Sequence, residues 1–250
     1  MTDLAARPLS SLAAGGETAD HCLLSFVAGF VDTCVFVALF GLFTAHVTGN
    51  FVLIGAELVH YNGDVAAKLL ALPVFVLAVA AAVKVAEVLE RRRRPRVPVF
   101  LYAEAVLLVL AFLAAAVHVP QHPNDVSGLV AGMLAVAAMA LQNALMRLEL
   151  PSLPSTTVMT MNVTQSAIDV VTMLGRNVDP QTDGPKREEA RRRFGRMWPQ
   201  IVAFTFGAAA GAVGYALVGL AALLLPATLC VVLGLRWSAR TFAKEMHELR

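Results

Sequence analysis

"FTAHVTGNFVLIGAELV", Phe43–Val59, sits between two long apolar runs and fits neither. Its start is too polar for an ordinary membrane span, and the apolar part that follows is too short for one, which needs about 20 residues. A second stretch, "TTVMTMNVTQSAIDVV" from Thr156, echoes it. How these two segments are placed decides the fold, because everything around them reads as plain membrane helix.

Of the 250 residues, 58% are hydrophobic and 15% charged, where soluble chains carry about 25% charged. The clear apolar runs are Leu23–Leu42, Ala66–Val88, Val97–Val117 and Val126–Leu148, followed by Ile201–Leu235. The last would be roughly 52 Å long as one helix, well beyond a hydrocarbon core of about 30 Å. It therefore reads as two spans folding back near Gly214–Gly219. The expectation is an all-α polytopic bundle with six full spans and two short broken or re-entrant helices. Cys22, Cys34 and Cys230 all fall inside apolar runs, which suggests neither a disulfide nor a metal site. The first twenty residues lack a signal-peptide pattern. They read as a flexible tail (1–20), before one transmembrane domain (21–237) and a tail at 238–250.

Charge sets the orientation. Two loops, "KVAEVLERRRRPR" (84–96) and 175–197 with Arg191–Arg193, are strongly basic. The positive-inside tendency places both in the cytoplasm. Two crossings join them, so the Thr160 segment between them cannot cross fully. A re-entrant segment resolves the count, and Pro151 and Pro154 before it favour extended chain over helix. Such backbone is tolerated at membrane depth only inside protein or beside a wet cavity. One basic loop lying outside, or an interrupted Val126–Leu148, would also resolve it.

Laying Asn50 on Asn162 exposes an internal repeat. Thr48 then matches Thr160, and Glu57 matches Asp169. "GFVDT" at Gly29 lies over "ALQNA" at Ala140, pairing Asp32 with Asn143. Repeat A covers about 22–118 and repeat B about 127–237. With three crossings each, the copies would be inverted, a plan recurrent among transporters.

A helix that begins at depth exposes unpaired N–H groups and a partial positive charge. Thr48, Gly49 and Asn50 suit that position, as do Thr157, Thr160 and Asn162. Two such ends favour an anion or the polar groups of a neutral solute; plain helix capping is the simpler reading. Asp32 lies midway along the first span, where a charge costs at least ~2.5 kcal/mol on insertion scales. It faces a cavity or partner, or it hydrogen-bonds the bent backbone of Thr48–Asn50. Glu104, inside its own span, carries the same two readings. Either acid could couple proton movement to transport. His46, Gln142 and Asn143 complete the candidate binding set, each equally readable as a structural hydrogen-bonding group. The small-residue face Gly207–Gly214 suits close helix contact, either within the chain or as a homo-oligomer seam. The arginine runs read as orientation signals rather than a nucleic-acid surface.

"GFVDTCVFVALFGLFTAHVTGN", "LQNALMR" and the later Thr-rich helix together resemble the YoaK-like (DUF1275) family of uncharacterised bacterial multi-pass membrane proteins, over Cys22 to Trp237. That resemblance implies an inner-membrane location and this architecture, but no activity. Where the family carries glycine, this chain has Ala140 and Met161.

The expected function is a transporter or channel for a small polar or anionic solute, without cofactor or metal. The alternatives are a non-catalytic assembly or sensor protein and, less favoured, an enzyme acting on a lipid-borne substrate. No G-x-S-x-G, H-E-x-x-H or phosphate loop supports the enzyme.

Overall fold

The computed structural model of the chain describes residues 9–60, 65–150, 154, 156–157, 159–175 and 180–248. No strand occurs among the described residues, and the chain is an all-α bundle. Its helices are α1 (Leu9–Ala38), α2 (Gly49–His60), α3 (Ala66–Arg91), α4 (Arg96–Val117), α5 (Val126–Glu149), α6 (Met159–Leu174), α7 (Pro180–Val218) and α8 (Leu224–Glu248). A 3-10 turn, Gly219–Leu223, joins the last two.

Five stretches are long and apolar enough to cross a bilayer. The fifth, Asp183–Ala243, contains α7, the 3-10 turn and α8. Only 17% of the most apolar window of α3 is buried within the chain. Its outward Leu69, Leu70, Val76 and Leu77 would be an aggregation hazard in water. The chain is therefore a multi-pass membrane protein, and these faces meet lipid.

Helix ends follow from local chemistry. α1 stops because Phe40 (φ 54°) and Gly41 (φ 83°) turn left-handed, and the Gly41 N–H reaches back to the Phe36 carbonyl at 2.9 Å. This closure satisfies a carbonyl the helix would otherwise orphan. α3 ends the same way, with Arg93 at φ 50° and the Arg94 N–H bonded to the Leu89 carbonyl at 2.9 Å. α7 ends at Gly219, φ 62°, a conformation glycine adopts without steric penalty. Before α5, the N–H groups of His122 and Gln121 donate to the Asp125 carboxylate and hold it below the usual carboxylate range.

Packing fixes the directions. A β-carbon at Gly207 or Gly211 would overlap the carbonyl of Phe26 or Phe30, and one at Gly29 that of Phe204. α1 and α7 thus run parallel with their backbones nearly touching. α8 returns, because Arg236 and Arg240 near its end both pair with Asp20 at the start of α1. The anticipated reversal near Gly214–Gly219 falls at Gly219. Arg96 at the start of α4 meets Glu149 at the end of α5, 2.9 Å away. Asp20, Glu149 and the arginines of 91–96, 236 and 240 therefore share one end of the bundle, here called the basic end. α3 packs on α5, and α4 packs on both α5 and α8.

Three expectations need correction. The Gly207–Gly214 face is not available as an oligomer seam: Gly207 and Gly211 lie on the backbone of Phe26 and Phe30 of α1, and Gly214 lies against the Phe30 ring and Ala222. The basic segment 175–197 is helical from Pro180 onward. A proline at the first helical position needs no N–H partner, and the Glu188–Arg192 and Glu189–Arg193 pairs support the turns that follow. Finally, α1 begins at Leu9, inside the stretch read as a tail; residues 1–8 lie outside the described residues.

Candidate functional site

Beyond Ala38 the chain doubles back along α1. Thr44, Ala45 and His46 come level with Asp32, six residues before Ala38, a retreat of roughly 9 Å at the helical rise. The Asp32 carboxylate holds them there. Its Oδ1 accepts the N–H of Thr44 and of Ala45, each at 2.7 Å, and the Thr44 hydroxyl at 3.0 Å. Its Oδ2 meets His46 Nδ1 at 2.6 Å. The acid is 4% exposed. It is thus saturated by the returning loop, one turn earlier than the Thr48–Asn50 backbone considered from the sequence.

α2 then leads back to the end from which α3 starts. Glu57 meets Lys68 Nζ at 2.6 Å, and the same ammonium donates to the Phe40 carbonyl at 3.0 Å. α2 is therefore a half-length element that begins beside the middle of α1.

The second half does likewise from the opposite end. Beyond Glu149 the chain returns until Thr156 and Thr157 lie beside Gln142 and Asn143. Gln142 Nε2 donates to the Thr156 hydroxyl at 3.0 Å and to the Leu24 carbonyl at 2.8 Å. The Thr157 hydroxyl donates to Asn143 Oδ1. α6 then runs back to the basic end, where Asp169 pairs with Arg193 at 2.9 Å. Residues 151–153, 155 and 158 of this return lie outside the described residues.

The two returns meet. The His46 ring bonds Asp32, lies near the Thr157 backbone and packs edge-on against Phe204 of α7. A line of polar neighbours therefore runs from Asp32 through His46 and Thr157 to Asn143. Both links at its flanks span 14 residues of sequence, Asp32 to His46 and Asn143 to Thr157.

The remaining candidates do not all join this line. Asn50 is buried and clamps its own loop, accepting from the Phe43 N–H and donating to the Phe43 carbonyl, each at 2.9 Å. Gly49 lies flat against the Phe43 ring, so a β-carbon there would clash with it. Thr48 and Thr160 face outward. Asn162 is buried, with its amide near Met159 Sδ at 3.8 Å. The N–H groups of Gly49, Asn50 and Phe51 are taken by the carbonyls of His46, Val47 and Thr48. The start of α2 is therefore less of an anion cradle than its sequence suggests. Glu104 lies elsewhere, fully buried beside the Cys230 thiol between α4 and α8.

Thr44, Thr156 and Lys68 are absent from the candidates the sequence offers, and Arg193 enters there only as an orientation signal. The first two flank the threonines that drew attention, and a fold-back makes the flank the point of contact. For the bases, the signal was there in Glu57 and Asp169, acids near the membrane that need a partner. Two cavities, of about 350 Å³ beside Ala38 and Tyr215 and about 330 Å³ between Tyr102 and Thr228, are lined mainly by apolar side chains and touch none of these residues. Among the described residues no group of His, Cys, Asp or Glu could hold a metal ion.

A family model described as "Protein of unknown function (DUF1275)" matches residues 21–235. No curated protein and no solved structure matches the chain.

Proposed function

We propose a function for a chain that belongs to the DUF1275 family: a transporter or channel for a small polar or anionic solute, and not an enzyme. In this reading it is a YoaK-like protein of the bacterial inner membrane, with a single domain over 21–237 and segments 84–96 and 175–197 in the cytoplasm. It consists of two inverted repeats, each contributing a re-entrant loop and a half-length helix.

The observation that carries the reading is the fold-back of both returns, Thr44–His46 onto Asp32 and Thr156–Thr157 onto Gln142 and Asn143, with the His46 ring lying near the Thr157 backbone. Two chain reversals entering from opposite ends and touching at mid-depth are costly in lipid unless they line a pathway or are wrapped in protein. Several pairings support the repeat. α1 packs on α7 as α5 packs on α3, and α2 packs on α3 as α6 packs on α7. The acids Glu57 and Asp169 each hold a base on the next long helix. Glu104, with both carboxylate oxygens unpartnered among the described residues, is the stronger candidate for proton coupling. Asp32 instead acts as the brace of its loop.

One observation favours the second reading, a non-catalytic assembly or sensor protein: Asp32 is buried and its oxygens are taken up by its own returning loop. Solute uptake into proteoliposomes, across a panel of polyols, amides, nitrate and phosphate, separates the two. Transport predicts flux of at least one solute, reduced by Asn50→Ala in protein that stays folded. Protein-independent flux for every solute would leave the assembly reading.

A further inference from the structure

We propose that the half of the bundle nearer the basic end encloses a hydrated chamber among α1, α5, α6 and α7, lined mainly by hydrogen-bond acceptors. It is reached from that end alone and suits an uncharged, donor-bearing solute. The solute class rests on the transport reading; the chamber does not.

Six buried side chains carry this. His21 and Ser25 on α1, Gln142 on α5, Ser166 and Asp169 on α6, and Gln200 on α7 are each at most 5% exposed. Each has at least one polar atom without a hydrogen-bond partner among the described residues. His21, Ser25, Gln142 and Gln200 adjoin one another, and Ser166 and Asp169 approach them through α7, the helix on which α6 packs. Gln200 lies against His21, though without a well-formed bond to either ring nitrogen. Ser25 is one turn along α1 from His21, and Gln142 bonds the carbonyl of Leu24 between them. Asp169 is tied to Arg193, two turns before Gln200 on α7, and Ser166 is one turn from Asp169 on the same face of α6.

A buried polar atom left unpaired is destabilising, and six such residues together would be a heavy burden on a domain of ordinary stability. Buried water or a bound solute resolves this, and a polar, multi-partner site is where such water resides.

The other half differs. The offset that lays Asp32 on Asn143 puts Gly132 and Val136 where α1 has His21 and Ser25. Gly132 is filled by Leu42 and Leu39, and Val136 lies in the apolar core. The matching positions on that side are packed with apolar side chains, so access is assigned to the basic end.

The free atoms name the ligand chemistry. The amide nitrogens of Gln142 and Gln200 are committed to the carbonyls of Leu24 and Arg196. A carbonyl cannot donate, so the atoms left over are the two amide oxygens. With Asp169 Oδ2 they form three acceptor-only positions, beside two hydroxyls and one imidazole. Such a wall favours hydroxyl or amide hydrogens and disfavours an anion.

Thiol labelling tests the proposal. Ser25→Cys and Ser166→Cys are made singly in a Cys22→Ala background, with Val136→Cys as the dry counterpart. A small membrane-impermeant thiosulfonate is applied to right-side-out and inverted vesicles. The expected result is labelling of both positions from the basic-end face alone, at least tenfold faster than Val136→Cys, and slowed severalfold by glycerol or urea but not by nitrate. Inert thiols in folded protein, or labelling from the opposite face, would overturn the chamber. Slowing by nitrate alone, or by none of the three, would overturn the solute class. One-sided labelling with no flux across the solute panel would sink the transport reading and leave the chamber standing.

Discussion

In the first half the returning chain hangs on a carboxylate; in the second it hangs on two amides. Asp32 gathers two backbone N–H groups, a hydroxyl and an imidazole onto one buried acid. Gln142 and Asn143 hold Thr156 and Thr157 through single neutral bonds, and the space around Gln142 keeps unpaired oxygens. Charge-assisted bonds are roughly twice as strong as neutral ones. The first loop is therefore a fixed strut, whereas the second is held lightly beside polar atoms that still need partners. The same contrast runs through the long helices. α1 meets α7 through glycines pressed on carbonyls, whereas α3 buries Ala71, Ala82 and Ala86 with no glycine of its own.

The largest effect should come from the strut. Asp32→Ala strands the N–H groups of Thr44 and Ala45 together with His46, and should cost about 3–5 kcal/mol, the range for breaking a buried charged pair. Asn143→Ala removes one neutral acceptor and should cost about 1 kcal/mol. Thermal unfolding of both variants in the same detergent checks this, and equal losses would break the contrast. Next comes the glycine seam. Gly211→Val forces α7 away from the Phe30 carbonyl and should cost about 1–3 kcal/mol, as overpacking does; Ala82→Gly on the looser α3 should cost about 1 kcal/mol or less. A Gly211→Val protein as stable as the parent would mean that the helices are not in backbone contact. The smallest effect concerns the outer ion pairs. Lys68→Met removes a buried ammonium that serves two acceptors, whereas Arg193→Met removes a base that is one-third exposed. Hydrogen exchange should accelerate more in α2 for the first than in α6 for the second.

Much of this was legible beforehand, for identifiable reasons. Long Ala-, Leu- and Val-rich runs with basic ends could only be membrane helices, and a 35-residue run had to fold back. The half-length elements announced themselves through Thr, Gly and Asn where lipid tolerates little polarity. Contacts made by reversal were not legible. Asp32 bonds Thr44, Ala45 and His46 rather than Thr48–Asn50 because the tip of the return lies earlier than its most polar letters suggest. Ser25 hid inside a run counted as apolar, His21 and Gln200 lay just before the start of one, and only their convergence from separate helices gives them meaning. The glycine face could be read as a seam, but not whose seam, because the facing surface of α1 carries no small-residue signature beyond Gly29.

Lys68 touches three things at once: the Phe40 carbonyl past the end of α1, Glu57 of α2, and its own helix α3. It works as a rivet through three plates. Any tilt of α3 must drag the half-helix and the exit of α1 with it, so the first quarter of the molecule moves as one lever. Shearing that rivet would let the parts swing independently.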